Sequence, residues 1–154
     1  MKQSFFILLT LMSFLVSSAT SCNKDDDNIN IENNKPMANE KIKITVNSQT
    51  FTAILLDNNS AKAFKQMLPL TINMTELNGN EKFYDFPNSL PTNSSNPGII
   101  KNGNLMLYGS KTLVLFYQSF STSYSYTKLG TIDDATGLAS ALGSGNATVT
   151  FELE

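Results

Sequence analysis

The sequence predicts a mainly β domain, a closed barrel or sandwich of about seven or eight short strands with two short helices. Three observations lead there. Apolar and polar residues alternate with period two in several segments between Lys41 and Leu153, as half-buried strands require. Pieces rich in Asn, Gly and Pro separate those segments at turn length. Helices do not recur between the strands with the regularity that a parallel α/β sheet needs.

Lys41 to Val46 alternates, Asn47-Ser48 turns the chain, and Gln49 to Ile54 alternates again, which predicts an opening hairpin. Asn58, Asn59 and Ser60 offer N-cap oxygens. Ala61, Phe64 and Leu68 then share one helical face before Pro69 stops the helix, so Phe64 is expected to pack on the sheet. Leu70 to Leu77 alternates as a strand, Asn78-Gly79-Asn80 is a turn signal, and Glu81 to Phe86 is an aromatic strand ending at Pro87. Ser89 to Asn102, with Pro91, Pro97 and Gly98, predicts a long surface loop of the kind that often carries function.

Gly103 to Tyr117 holds the densest strand-forming sequence beyond the N-terminus. Leu105 to Tyr108 and Leu113 to Tyr117 form a buried hairpin around Gly109-Ser110-Lys111, and such strands need partners on both faces. Gln118 to Tyr126 is polar but carries three aromatics, and Thr127 to Ile132 reads as a strand. Asp133 or Asp134 is expected to cap a second helix, with Leu138 and Leu142 pointing inward and Gly143 ending it. Ala147 to Leu153 closes the domain as a last alternating strand.

The N-terminus reads as an address. Met1-Lys2 is a positive start, and Phe5 to Val16 is an apolar run, broken only by Thr10 and Ser13, that falls short of the ~20 residues a membrane-spanning helix needs. Small residues Ser17 to Ser21 lead to Cys22, and Ala19-Thr20-Ser21-Cys22 resembles the lipobox of bacterial lipoproteins, with Ala19 where Leu is usual. There the chain is cut before the acylated cysteine. Asn23-Lys24-Asp25-Asp26-Asp27 resembles the acidic export tract of Bacteroidetes surface lipoproteins. A transmembrane anchor and a free thiol are the plainer alternatives. The expected organisation is a signal peptide over 1–21, an acidic, disordered tether over 22–40 that lacks the apolar residues to order itself, and a folded domain over 41–154. The expected location is the outer membrane, surface-exposed or else facing the periplasm, with the membrane as a partner through lipid on Cys22.

Composition excludes more chemistry than it suggests. At 154 residues, 41% hydrophobic and 16% charged, the chain suits one globular domain, and its net charge of −2 with scattered lysines lacks the basic stripe of a nucleic-acid binder. The sequence has no His, Trp or Arg and one Cys, so Ser-His and Cys-His nucleophile pairs and the common zinc sites are out of reach. Ser125-Tyr-Thr-Lys128 matches a Ser-x-x-Lys spacing without the helix and companion motifs that chemistry needs. Gly143-Ser-Gly145 is a turn before a strand, not a dinucleotide loop. Glu76, Glu81, Asp85 and Asp133 could supply a carboxylate pair, but their spacing selects no two of them, and solvated surface acids are the better reading. The residues suggest no metal and no cofactor.

Glu81-Lys82-Phe83-Tyr84 to Pro87, Gly103 to Tyr117, Tyr126 to Ile132 and Gly145 to Phe151 together resemble the bacterial cyclophilin-like domain family, over about Lys41 to Glu154. Relatives often carry Gly-Asp-Leu where this chain has Gly103-Asn104-Leu105. The resemblance implies an eight-stranded antiparallel barrel with one helix near each end. It also implies a comparison with true cyclophilins, whose isomerase centre uses an Arg helped by Gln, His and Trp around a Phe-lined proline pocket. A Lys cannot replace the planar donor fork of Arg, so that centre does not transfer to any residue here.

The residues that point to function are aromatic: Phe83, Tyr84, Tyr117, Phe120, Tyr124 and Tyr126, whose polar tips suit shallow recognition surfaces. The plainer reading is that Phe83, Phe116 and half of the tyrosines fill the barrel, and one or two of the set are expected to line a cleft. The expectation is a binding module for a peptide, glycan or envelope protein and not an enzyme. A prolyl-isomerase-like or other enzyme using the barrel cleft is the alternative, and a redox-linked role beside flavodoxin-type proteins a weaker third.

Overall fold

The computed structural model describes residues 40–154. The expected signal peptide, the Cys22 lipidation site and all of the expected tether but Glu40 lie outside the described residues.

Ten strands and two helices follow one another in the chain: β1 (Glu40–Val46), β2 (Gln49–Leu55), α1 (Asn59–Lys65), β3 (Leu70–Leu77), β4 (Glu81–Asp85), β5 (Ile99–Ile100), β6 (Asn104–Tyr108), β7 (Thr112–Phe116), β8 (Phe120–Ser121), β9 (Thr127–Ile132), α2 (Leu138–Leu142) and β10 (Ala147–Leu153). Eight of them close an antiparallel barrel in the order β1-β10-β3-β4-β7-β6-β9-β2, while β5 and β8 form a separate two-stranded sheet. Closure leaves no open edge on the main sheet. The expected mainly β, eight-stranded closed barrel with two short helices is therefore the observed fold.

Period-two alternation builds the interior. Ile42, Ile44 and Val46 of β1, Phe51, Ala53 and Leu55 of β2, and Val149 and Phe151 of β10 are buried together with Leu105, Leu107, Leu113 and Leu115 of the central hairpin. Phe64 of α1 is fully enclosed and meets Phe151 edge-on at 5.5 Å between ring centres. Helix α1 starts as expected: the Asn58 side chain accepts a hydrogen bond from the Ala61 amide at 2.8 Å.

The central hairpin is apolar on both faces because it separates two cores. Its inward residues join the barrel interior. Its outward Met106, Val114 and Phe116 are buried with Ile100 and Tyr126, and Phe83 and Phe120 pack on them. Strand β9 is pressed against β2 at Gly130, where a Cβ would stand 2.5 Å from the Ile54 carbonyl oxygen, so only glycine allows the strands to approach this closely. Asn104 closes the turn into β6: its Oδ1 accepts from the Lys101 amide at 2.8 Å. Its Nδ2 donates to Thr131 Oγ1 at 3.4 Å, a contact that an Asp in this place would not make as a donor.

Two local expectations differ. Helix α2 begins after Gly137, whose φ of 83° lets the chain turn, and no side chain caps it; Asp134 instead accepts from the Thr136 amide at 2.9 Å in a local turn. Gly143 does end the helix, with φ 65°. The expected loop over Ser89 to Asn102 contains β5, which pairs with β8 as Ile99 opposite Ser121 and Ile100 opposite Phe120. Such short non-local pairs leave no periodic trace in the sequence.

Candidate functional site: an aromatic cleft on the outer wall of the barrel

The second core does not fully cover the outer wall. Beside it lies an open cleft of about 510 Å³ between strands β4, β7 and β6 on one side and Phe120 to Tyr126 on the other, with Leu77, Asn78 and Asn80 of the β3–β4 turn at one end.

Strand register dictates its floor. Asp85 lies opposite Thr112, and Thr112 opposite Tyr108, giving one row across three strands. The next row is Phe83, Val114 and Met106, and beyond it Glu81 stands opposite Phe116. Successive outward residues of β4 are thus acid, ring, acid. Thr112 Oγ1 donates to Asp85 Oδ1 at 2.6 Å, which fixes that carboxylate against the wall.

The rings touch in sequence. Tyr124 meets Tyr108 edge-on at 6.1 Å between centres, Tyr108 meets Tyr126 at 5.6 Å, Tyr126 meets Phe116 edge-on at 5.5 Å, and Phe116 meets Phe120 at 5.7 Å. These separations and tilts are the favourable ones for aromatic pairs. Tyr124 and Tyr108 remain 62% and 47% exposed, so the array is buried at its Phe116 end and open to solvent at its Tyr124 end.

The wall that carries Phe120, Tyr124 and Tyr126 is held by the long loop behind it. Ser95 and Tyr126 exchange backbone hydrogen bonds at 3.0 and 2.9 Å, Thr122 N donates to Gly98 O at 3.0 Å, and Asn96 Nδ2 donates to Ser123 O at 3.2 Å. None of the residues of that loop lines the cleft. The loop positions the wall instead of supplying contacts.

The cleft is negative. Glu81 and Asp85 line it and no lysine does. Burial, with the nearby Glu76 charge, raises the Glu81 carboxyl above its ordinary range, and among the described residues Glu81 has no ion-pair partner. Burial and the charge of Glu81 push the Tyr126 phenol up as well. Among the described residues no group of three or more His, Cys, Asp or Glu could hold a metal, and no helix is long and apolar enough to cross a membrane.

Of the six aromatics that the sequence singles out, Phe83, Phe120, Tyr124 and Tyr126 come together in the cleft. Tyr84 and Tyr117 do not: they pack on the barrel interior. The reason is the pleat. Neighbours on a strand point to opposite faces, so Phe83 and Tyr84 cannot share one surface, and Tyr117 follows Leu113 and Leu115 inward. Tyr108 was readable by the same rule, two residues beyond outward-facing Met106, yet the apolar run around it masks which face it takes.

On the other face of β4, Lys82 is completely enclosed. Its ammonium has three hydrogens and three acceptors: the Glu76 carboxylate, Gly143 O at 2.8 Å and Gly145 O at 2.6 Å. It also lies 5.1 Å from the centre of the Tyr117 ring, and the Tyr117 hydroxyl donates to Glu76, with its Oε2 at 2.8 Å. Burial works against the Glu76 charge, but hydrogen bonds from Lys82, Tyr117 and the Gly79 amide outweigh it and lower its pKa. Burial and Glu76 push the Tyr117 phenol up to about 12. A group so enclosed plugs the barrel end and has no opening to a substrate.

Comparison with known proteins agrees with this architecture. The chain resembles the solution structure of the hypothetical protein AF2241 from Archaeoglobus fulgidus with a TM-score of 0.57 and 16% identity, over 75% of this chain and 95% of that one, a likeness of fold alone. No curated protein matches the sequence. The model of the Cyclophilin-like family matches residues 44–152, which is nearly the whole of the described barrel. The chain belongs to the Cyclophilin-like family.

Proposed function

We propose that this chain is a lipid-anchored binding module of the cell envelope, held to the outer membrane through Cys22, which takes a partner in the aromatic cleft and does not isomerise prolyl bonds. The observation that carries the reading is the cleft itself: an open, fixed surface lined by Phe83, Tyr108, Phe120, Tyr124 and Tyr126 with two carboxylates. Exposed tyrosines on a rigid support recognise ligands at low entropic cost. Prolyl isomerisation in cyclophilins draws on an arginine, and this chain has no arginine, histidine or tryptophan. The lipobox-like Ala19 to Cys22 and the aspartates after it support the anchor and the surface location.

Two experiments test it. Titration of the isotope-labelled full chain in mild detergent with proline-containing peptides reads binding as shifts and catalysis as accelerated cis–trans exchange. Shifts at cleft residues without faster exchange are expected, and faster exchange refutes the non-enzymatic reading. Metabolic labelling with a fatty-acid analogue should mark the wild-type protein and not Cys22→Ala; equal labelling of both removes the anchor from the proposal.

A further inference from the structure

We infer that the cleft takes an extended peptide segment bearing two basic side chains, one seated at Glu81 and one at Asp85, with the stretch between them lying over Phe83. The inference rests on the cleft being a binding surface and adds the chemistry of what it binds.

Charge is the first argument. The lining has two carboxylates and no cation, so an anionic ligand would be repelled and a cationic one drawn in. The contrast across β4 sharpens this. Inward-facing Glu76 is neutralised by a lysine, whereas outward-facing Glu81, partly buried and close to Glu76, has no counter-charge among the described residues. A carboxylate held in that setting destabilises the free protein and is relieved when a cation arrives.

The rings are the second argument. An ammonium or guanidinium group is attracted to aromatic faces, and Tyr108 and Tyr124 line the cleft with much of each ring exposed, with Tyr126 packed beside them. A neutral glycan would use the ring faces but not the two acids.

Spacing is the third. Glu81 and Asp85 are four residues apart on one strand, about 13 Å at ~3.3 Å per residue, with Phe83 midway. An extended peptide places its first and fifth side chains at that separation on one face, and its third over the ring. Strand β4 is already paired with β3 and β7, so the segment must lie across the face of the sheet and be held by side chains, not join it as a further strand.

The five tyrosines make the test internal, since Tyr108, Tyr124 and Tyr126 line the cleft while Tyr84 and Tyr117 pack in the barrel. The full chain with labelled tyrosine rings is titrated in mild detergent with three peptides that share a Leu centre: one with lysine at its first and fifth positions, one with both lysines acetylated, and one with both replaced by glutamate. A neutral oligosaccharide set runs alongside. The lysine peptide should move the three cleft tyrosines and leave the other two still. The acetylated and glutamate forms should bind at least about tenfold more weakly, as should the lysine peptide to the doubly substituted Glu81→Gln/Asp85→Asn protein, given about 1.4 kcal/mol per tenfold. Asp134→Asn, which does not line the cleft, should bind as the wild type does. Equal binding of the acetylated peptide, or binding only of oligosaccharide at the same tyrosines, overturns the cationic ligand and leaves the cleft a binding site. If no probe moves the cleft tyrosines, both readings fall.

Discussion

Glu76→Gln removes the only carboxylate among the described residues that pairs with the enclosed Lys82 ammonium, and it keeps the side-chain shape. The glutamine keeps one acceptor oxygen where the carboxylate offers two, one to Lys82 and one to the Gly79 amide, so the variant loses the charge and one of those hydrogen bonds while the two glycine carbonyls stay in place. Breaking a buried ion pair by removing one partner costs about 3–5 kcal/mol, because the remaining charge is left desolvated. Against a typical stability of about 5–15 kcal/mol, that is a large fraction. It corresponds to a fall in melting temperature on the order of 10–20 °C for a domain of this size. Urea unfolding at neutral pH followed by circular dichroism measures it, and the slope against urea should not change. Lys82→Met is the companion variant. It removes the charge instead of stranding one, and Glu76, whose side chain is 20% exposed, keeps Tyr117 and the Gly79 amide as donors. It should therefore cost less than Glu76→Gln, and the double variant should cost much less than the sum. A loss below about 1 kcal/mol for Glu76→Gln, or additive costs in the double variant, would refute a charged, paired Lys82 and the argument with it.

Other expectations follow from the same groups. The Tyr117 phenol titrates at about 12 in the fold against about 10 when unfolded, so its contribution is complete below pH 10 and is lost as pH rises towards 12; alkaline unfolding should show a loss of about 3 kcal/mol over that window that is absent in Tyr117→Phe. The Glu81 carboxyl is raised, so its ionised form opposes folding at neutral pH; Glu81→Gln should melt higher than the wild type near pH 7, and the two should converge as pH falls below the carboxyl range. Gly130→Ala drives a methyl group into the Ile54 carbonyl and should cost about 1–3 kcal/mol, read by thermal melting, with backbone shifts concentrated in β2 and β9. Tyr124→Ala should leave the melting temperature within about 2 °C, because the ring is 62% exposed, while weakening the peptide binding that the titration reads at Tyr108 and Tyr126.

Much of the barrel was readable in the sequence because its signals are local. The hairpin of β1 and β2 follows from strict alternation around Asn47-Ser48, and the central hairpin from two apolar runs around Gly109. What escaped is non-local. Ile99 and Phe120 have no short-range feature that announces the β5–β8 pair, and α2 starts from a glycine turn where an aspartate cap was available. In the cleft, Phe120, Tyr124 and Tyr126 were legible, since Phe120 to Tyr126 is too polar to be all core, whereas Phe83 reads as readily as barrel filling. Tyr84 and Tyr117 carry the same ring chemistry as the cleft residues, but the pleat turns them into the barrel. Lys82 could not be seen at all: within Glu-Lys-Phe-Tyr it reads as an ordinary polar position, and only the convergence of Glu76, Tyr117 and the turn at Gly143 to Gly145 encloses it.

That buried lysine and the acidic cleft are one decision of the strand. Along β4 and the residue after it, the inward set is Lys82, Tyr84 and Phe86 and the outward set is Glu81, Phe83 and Asp85. A slip of one residue would exchange the sets, carrying two carboxylates into the barrel and a lysine into the cleft. Hydrophobicity alone guards weakly against that slip, because Phe83, Tyr84 and Phe86 offer an aromatic to either face. The three acceptors around Lys82 guard against it strongly, since only one register places an ammonium among a carboxylate and two carbonyls. The negative sign of the outer wall is thus specified from inside the barrel, and the same alternation that encloses the one positive group of β4 turns both of its negative groups toward whatever the cleft receives.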